Sequence, residues 1–191
     1  MRQPFYSRLQ GNGDAFTFVP CSPAANLLMN PLRQQFEQRL AQTGGTVAAL
    51  ADLDALLTGK VFVSAHLVCQ PWAARATCQD PREADVALTG CDAIIAETGT
   101  VAVFSSPVEG RLSTLTAPTH VVLGSEAQLS PDMETIFERF ADRLRPGASP
   151  ASLMFITGPS RTTDIEKTLV LGVHGPKKLV FVFVEDGSGA G

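Results

Sequence analysis

The sequence predicts an α/β domain built on a largely parallel, helix-covered sheet, and three observations carry that expectation. Short apolar runs such as VFVSAHLV, DVALTG and THVVLG have the make-up of strands buried on both faces. Amphipathic segments alternate with them along the chain. With 191 residues, 45% of them hydrophobic and 18% charged, the chain has enough material for one well-buried core and little room for a second.

Taken in order, NPLRQQFEQRLAQTGG carries its own punctuation for a helix. Asn30 caps it, Pro31 suits the first helical position, Leu32, Phe36 and Leu40 share a face, and Gly44 and Gly45 end it. A short helix is expected from Asp52 to Leu57. VFVSAHLV then reads as one buried strand with His66 inside it, and QPWAARATCQDPREA as irregular or partly helical. DVALTG, DAIIAETGTVAVF and THVVLG are apolar runs broken by glycine and small polar residues, as in a buried sheet. SPDMETIFERFADRLRPG is the next helix, expected to be capped by Ser130 with Pro131 at its first position. It would turn Met133, Ile136, Phe137, Phe140 and Leu144 inward. SLMFIT follows as a strand, TDIEKTLVLGV as a helix and KKLVFVFVE as the last strand, before a GSGAG tail expected to be flexible.

Composition excludes several classes. The net charge of -4 supplies no basic field for a polyanion, so nucleic-acid binding is not expected. No apolar run reaches the roughly 20 residues of a membrane span, and the opening MRQPFYSRLQ lacks the apolar centre of a signal peptide, so a cytoplasmic location is expected. Cys21, Cys69, Cys78 and Cys91 are widely spaced, with no C-x-x-C pair for zinc or an iron–sulfur cluster, and read as small hydrophobes in a reducing compartment. His66, His120 and His174 are scattered, which makes no case for a metal. The phosphate loop, the dinucleotide fingerprint, the G-x-S-x-G elbow and H-E-x-x-H are all missing.

Two polar turns remain. AETGT places Glu97, Thr98, Gly99 and Thr100 in the middle of an apolar run. It reads either as a ligand crevice at a strand's carboxyl end or as a hydrogen-bonded turn in which Gly99 takes a conformation other residues resist. GPSRTTDIE follows a strand and precedes the expected helix, so the helix's first amides could receive an anion with Arg161 adding a two-pronged donor. Thr163, Asp164 and Glu166 are equally accounted for as a capping box and acidic first turn. Gly175, in His174-Gly175-Pro176, could be the left-handed residue ending that helix. Ser160, Asp164 and His174 supply the residue types of a catalytic triad, without an order or spacing that supports one.

AETGT, then P-x-H, then TGPSRT-x-DIE, then G-x-HGP, in that order over about residues 85 to 186, resembles the LUD domain and within it the lactate utilization protein C family. The resemblance implies a three-layer α/β/α fold of the NagB/RpiA/CoA-transferase-like type. It divides the chain into an N-terminal helical segment (1–60) packed on the same domain, the α/β core (61–186) and the tail (187–191). It also implies a part in oxidising L-lactate to pyruvate beside two iron–sulfur proteins, with no cofactor in this chain. The signature falls on Glu97, Thr98, Gly99, Thr100, Pro118, His120, Gly158, Pro159, Ser160, Arg161, Thr162, Asp164, Glu166, His174, Gly175 and Pro176.

Two functions follow. In one, the chain is a component without an iron–sulfur cluster that binds partner proteins and a small anion through Thr98, Gly99, Thr100, Gly158, Ser160, Arg161, Thr162 and Gly175. In the other, it is a stand-alone enzyme on a small anionic or CoA-linked substrate. Glu97 is then nucleophile or general base, with His120 or His174 moving protons. Both readings expect Glu97, Arg161 and at least one of those histidines to line a common cleft.

Overall fold

Helix α1 (Pro31–Gln42) begins where the spacing predicts. The Asn30 side chain accepts from the Leu32 amide, and Gly44 takes a left-handed φ of 89° just past the helix end. The computed structural model of the chain describes residues 30–105, 111–145, 152–163, 169–171 and 175–185. The GSGAG tail lies outside them.

The strands run β1 (Thr46–Ala48), β2 (Val61–Val63), β3 (Val86–Gly90), β4 (Ala93–Ile95), β5 (Thr100–Ser105), β6 (Thr119–Ser125), β7 (Leu129–Ser130), β8 (Ser152–Ile156), β9 (Arg161–Thr163), β10 (Leu169–Leu171) and β11 (Lys178–Val184). Short helices α2 (Leu53–Leu56), α3 (Leu112–Leu115) and the longer α4 (Met133–Phe140) lie between them.

The main sheet has the order β1-β11-β6-β3-β2, and every neighbouring pair is parallel. Alternation along β11 divides the core in two. Leu179, Phe181 and Phe183 meet Phe36 and Leu40 of α1 together with Ile94 and Val101 of β4 and β5. Val180, Val182 and Val184 face the other way, onto Leu53, Leu57 and Cys69. Phe36 meets Phe181 edge-on with ring centroids 4.9 Å apart, which locks α1 to the sheet. Both faces of the sheet are thus covered, as the apolar runs require.

One covering layer is itself partly a sheet. β7-β4-β5-β8 form a second, mixed sheet in which β4 and β7 run parallel while β5 is antiparallel to both β4 and β8. Its far face, with Ala93, Ile95 and Ala102, is buried under Ile136 and Phe140 of α4.

Three elements depart from expectation. The strand VFVSAHLV stops at Val63, although Ser64 still donates its amide to the Leu88 carbonyl at 2.8 Å. His66 then accepts from the Val68 amide and starts a run of 3-10 turns, Leu67–Arg75, which holds Pro71, a residue without a ladder donor. The cap of α4 is Asp132, which accepts from the Thr135 amide at 2.8 Å, whereas Ser130 pairs with Ile95 in β7. That backbone hydrogen bond holds the Asp132 carboxyl below its usual range. α4 ends at Phe140, so Leu144 falls outside its apolar stripe, and Phe137, one position round from Ile136, is 47% exposed.

The third departure is the expected helix over TDIEKTLVLGV. Arg161–Thr163 and Leu169–Leu171 are instead antiparallel partners, with Thr163 opposite Leu169 and Arg161 opposite Leu171. Threonine and valine favour that pairing, and a local capping pattern carries too little free energy to oppose it. Asp164, Glu166 and His174 lie outside the described residues.

Candidate functional site

The signature turns meet one another at the C-terminal end of α1. In AETGT, the turn from β4 to β5, Gly99 has φ 67°, and a Cβ there would come within 2.3 Å of the Leu40 amide nitrogen. Glycine is needed both for that conformation and for the helix's approach. Thr98 donates to the Thr100 hydroxyl at 2.7 Å, and Thr100 lies 2.5 Å from the Thr157 hydroxyl just past β8. The TGPSR turn therefore starts beside AETGT.

Gly158, with φ 92°, packs against Thr43, where an added Cβ would approach the carbonyl and hydroxyl oxygens to 2.8 Å. The Arg161 guanidinium donates to the Thr43 carbonyl. A cation on the last carbonyls of a helix is favoured by the helix dipole, so Arg161 closes α1. Arg161–Thr163 form strand β9, so the described residues after Arg161 do not supply the helix N-terminus expected to receive an anion. The Ser160 amide donates to the Pro176 carbonyl at 2.8 Å, and the Lys177 amide to the Pro118 carbonyl at 2.8 Å. Gly175 lies against Ser160 and is not one of the left-handed glycines, so it does not serve as the expected helix terminator.

Glu97 is exposed on its turn, its amide donating to the Pro131 carbonyl at 3.0 Å. Its carboxylate makes no hydrogen bond or ion pair with any described residue. His120 lies apart, fully buried in β6 with Nε2 2.8 Å from the Thr89 hydroxyl of β3. Its Nδ1 has no hydrogen-bond partner among the described residues. Burial pushes its pKa down to about 4, so the ring is neutral at physiological pH.

A pocket of about 220 Å³ opens between the two sheets. The ends of β2 and β3 supply Ser64, Ala65, His66, Thr89 and Gly90, while β5, α3 and β8 supply Val103, Phe104, Ser105, Ser113 and Met154. Gly90 lets the His66 ring lie against the strand end, since a Cβ would come within 2.3 Å of His66 Nδ1. Ser105 and Ser152 share a hydrogen bond at 2.7 Å. Among the described residues the lining offers hydroxyls, one imidazole and an apolar wall, with no Lys, Arg, Asp or Glu.

None of the described residues picked out by the sequence motifs lines this pocket; the nearest link is His120, through Thr89. The signal that could have found it is positional. Ser64 and Thr89-Gly90 stand at the carboxyl ends of adjacent parallel strands, where α/β sheets form their crevices. Among the described residues no three His, Cys, Asp or Glu side chains gather closely enough to hold a metal ion, and no helix is long and apolar enough to cross a membrane.

An α/β chain with this signature, in which AETGT meets the TGPSR turn and that turn meets Pro176, belongs to a definable class, and the LUD domain family model matches residues 30–184. The chain belongs to that family. It is 34% identical over 109 residues to Lactate utilization protein C of Bacillus licheniformis, covering 56% of this chain and 45% of the relative. The corresponding protein of Bacillus subtilis is 35% identical over 105 residues, covering 54% and 44%. The match thus spans less than half the length of these relatives. A crystal structure of a DUF162 family protein from Deinococcus radiodurans has the same fold, with a TM-score of 0.60 at 24% identity over 80% of this chain and 96% of that one.

Proposed function

We propose that the chain serves L-lactate utilisation as the component without an iron–sulfur cluster of a lactate-to-pyruvate oxidising system. It works in the cytoplasm beside two iron–sulfur proteins and binds a small anion. The observation that carries this reading is the LUD match over residues 30–184, joined to relatives named Lactate utilization protein C. The signature turns, clasped around the end of α1, form a compact surface suited to a protein partner.

Deleting the gene in its host tests the role. Growth on L-lactate as sole carbon source should be lost and growth on pyruvate kept, with rescue by the intact gene. Equal growth on both sources after deletion would sink the proposal. Complementation with Glu97→Gln separates the component from the stand-alone enzyme. Full rescue favours the component, whereas loss of rescue by a folded variant favours an enzyme that uses this carboxylate.

A further inference from the structure

Thr89 lines the pocket and shares a hydrogen bond with a fully buried, neutral imidazole, that of His120. A neutral imidazole carries a single N–H, and its position decides what Thr89 can do. If the proton sat on Nδ1, a buried N–H would have no acceptor among the described residues, a rare and costly arrangement. On Nε2 it donates to the Thr89 oxygen, 2.8 Å away, and only an acceptor lone pair is left without a partner. The Thr89 hydroxyl hydrogen is then committed to no described residue, and the side chain that holds it faces the pocket.

The other walls limit what could accept that hydrogen. The volume of about 220 Å³ falls below the roughly 300–1,000 Å³ of sites for drug-sized ligands, so a nucleotide or coenzyme A does not fit inside. With no lysine, arginine or carboxylate among them, the described lining residues offer little to a phosphate or a dianion and little to a cation. The Ser64 hydroxyl can meet a ligand's oxygens, while Ala65, Val103 and Met154 give an apolar wall for a methyl group. Hydrogen bonds from hydroxyls to a single negative charge are worth more than those between neutral groups.

We propose that the inter-sheet pocket binds a short hydroxy or oxo monocarboxylate, with Thr89 donating to the ligand and His120 acting as the positioning residue that orients Thr89. The choice of a carboxylate over an equally small neutral polyol rests on the lactate-utilisation reading; the pocket and its donor do not.

The test uses the full chain and Thr89→Val and Thr89→Ser variants, with titration calorimetry and saturation-transfer NMR. L-lactate and pyruvate are the probes, glycerol the neutral contrast, inorganic phosphate and coenzyme A the charged ones. Lactate or pyruvate should bind in preference to the contrasts. Thr89→Val should weaken that binding about ten-fold or more and Thr89→Ser should restore it to within about three-fold. Nitrogen-15 NMR of the His120 ring should place its proton on Nε2, and that resonance should move when ligand is added.

The proposal is overturned by undiminished binding to a folded Thr89→Val chain, by a ring proton on Nδ1, by a contrast molecule binding better, or by no carboxylate binding at ~10 mM. If Thr89→Val fails to fold, the serine variant and the ring measurement still decide. A growth defect on lactate without carboxylate binding removes the pocket proposal alone. Carboxylate binding without a growth defect removes the lactate role and leaves the pocket.

Discussion

The signature turns and the inter-sheet pocket differ in what their residues are for. In the turns, Glu97 apart, the described residues Gly99, Thr100 and Arg161 are occupied with one another's turns and with α1: Gly99 against Leu40, Arg161 on Thr43, Thr100 against Thr157. In the pocket, ordinary serines and a threonine at strand ends are gathered around open space. A recognisable motif can therefore mark the joints of a fold, while the cavity is built from residues no pattern distinguishes.

The comparison breaks most visibly if α1 is not the element that the turns clasp. Phe36→Ala removes its buried aromatic anchor and should cost about 3–5 kcal/mol in denaturant unfolding. A loss below ~1 kcal/mol would mean that α1 adds little to the core.

The pH dependence of stability probes the other region. His120 has a folded pKa of about 4 against an ordinary 6.5, so between those values the unfolded chain holds more protons. Stability should fall as the pH drops through that window, by about 3 kcal/mol from this group, and the fall should be complete near pH 4. A folded His120→Gln variant should show a shallower slope than the wild type between the two values. Identical slopes would mean that the ring is not buried as a neutral group.

Gly99→Ala sets a side chain at φ 67° against the helix backbone and should cost about 2 kcal/mol, without touching the pocket. Measured carboxylate binding should be unchanged in the folded fraction, which sharpens the separation of joint from cavity. Arg161→Met should have the smallest effect, about 0.5–1 kcal/mol from the lost contact with the end of α1. A larger effect on ligand binding than on the midpoint of unfolding would return Arg161 to the binding residues.

The main sheet was legible because strands covered on both faces leave continuous apolar runs: LVFVFV and HVVLG became β11 and β6 almost residue for residue. α1 was legible through Asn30, Pro31 and the glycines. The β9–β10 pairing was hidden because Thr163 and Glu166 mimic a helix start, and sequence neighbours say nothing of the partner strand. The pocket was hidden for a related reason. Only the register that sets Ala87 beside His120 brings Thr89 within reach of the imidazole, and register is a property of two segments together.

The strand order also bears on how the protein is made. β11, late in the sequence, lies between β1 and β6, and among the described residues it is the only neighbour that β1 has in the sheet. Until β11 has been synthesised, β1 has no edge to join, and the aromatic bed of Phe181 and Phe183 on which Phe36 rests does not yet exist. Assembly of the sheet around β1 therefore waits for β11, and until it arrives the nascent chain carries an open sheet edge and bare apolar surface that a chaperone could cover.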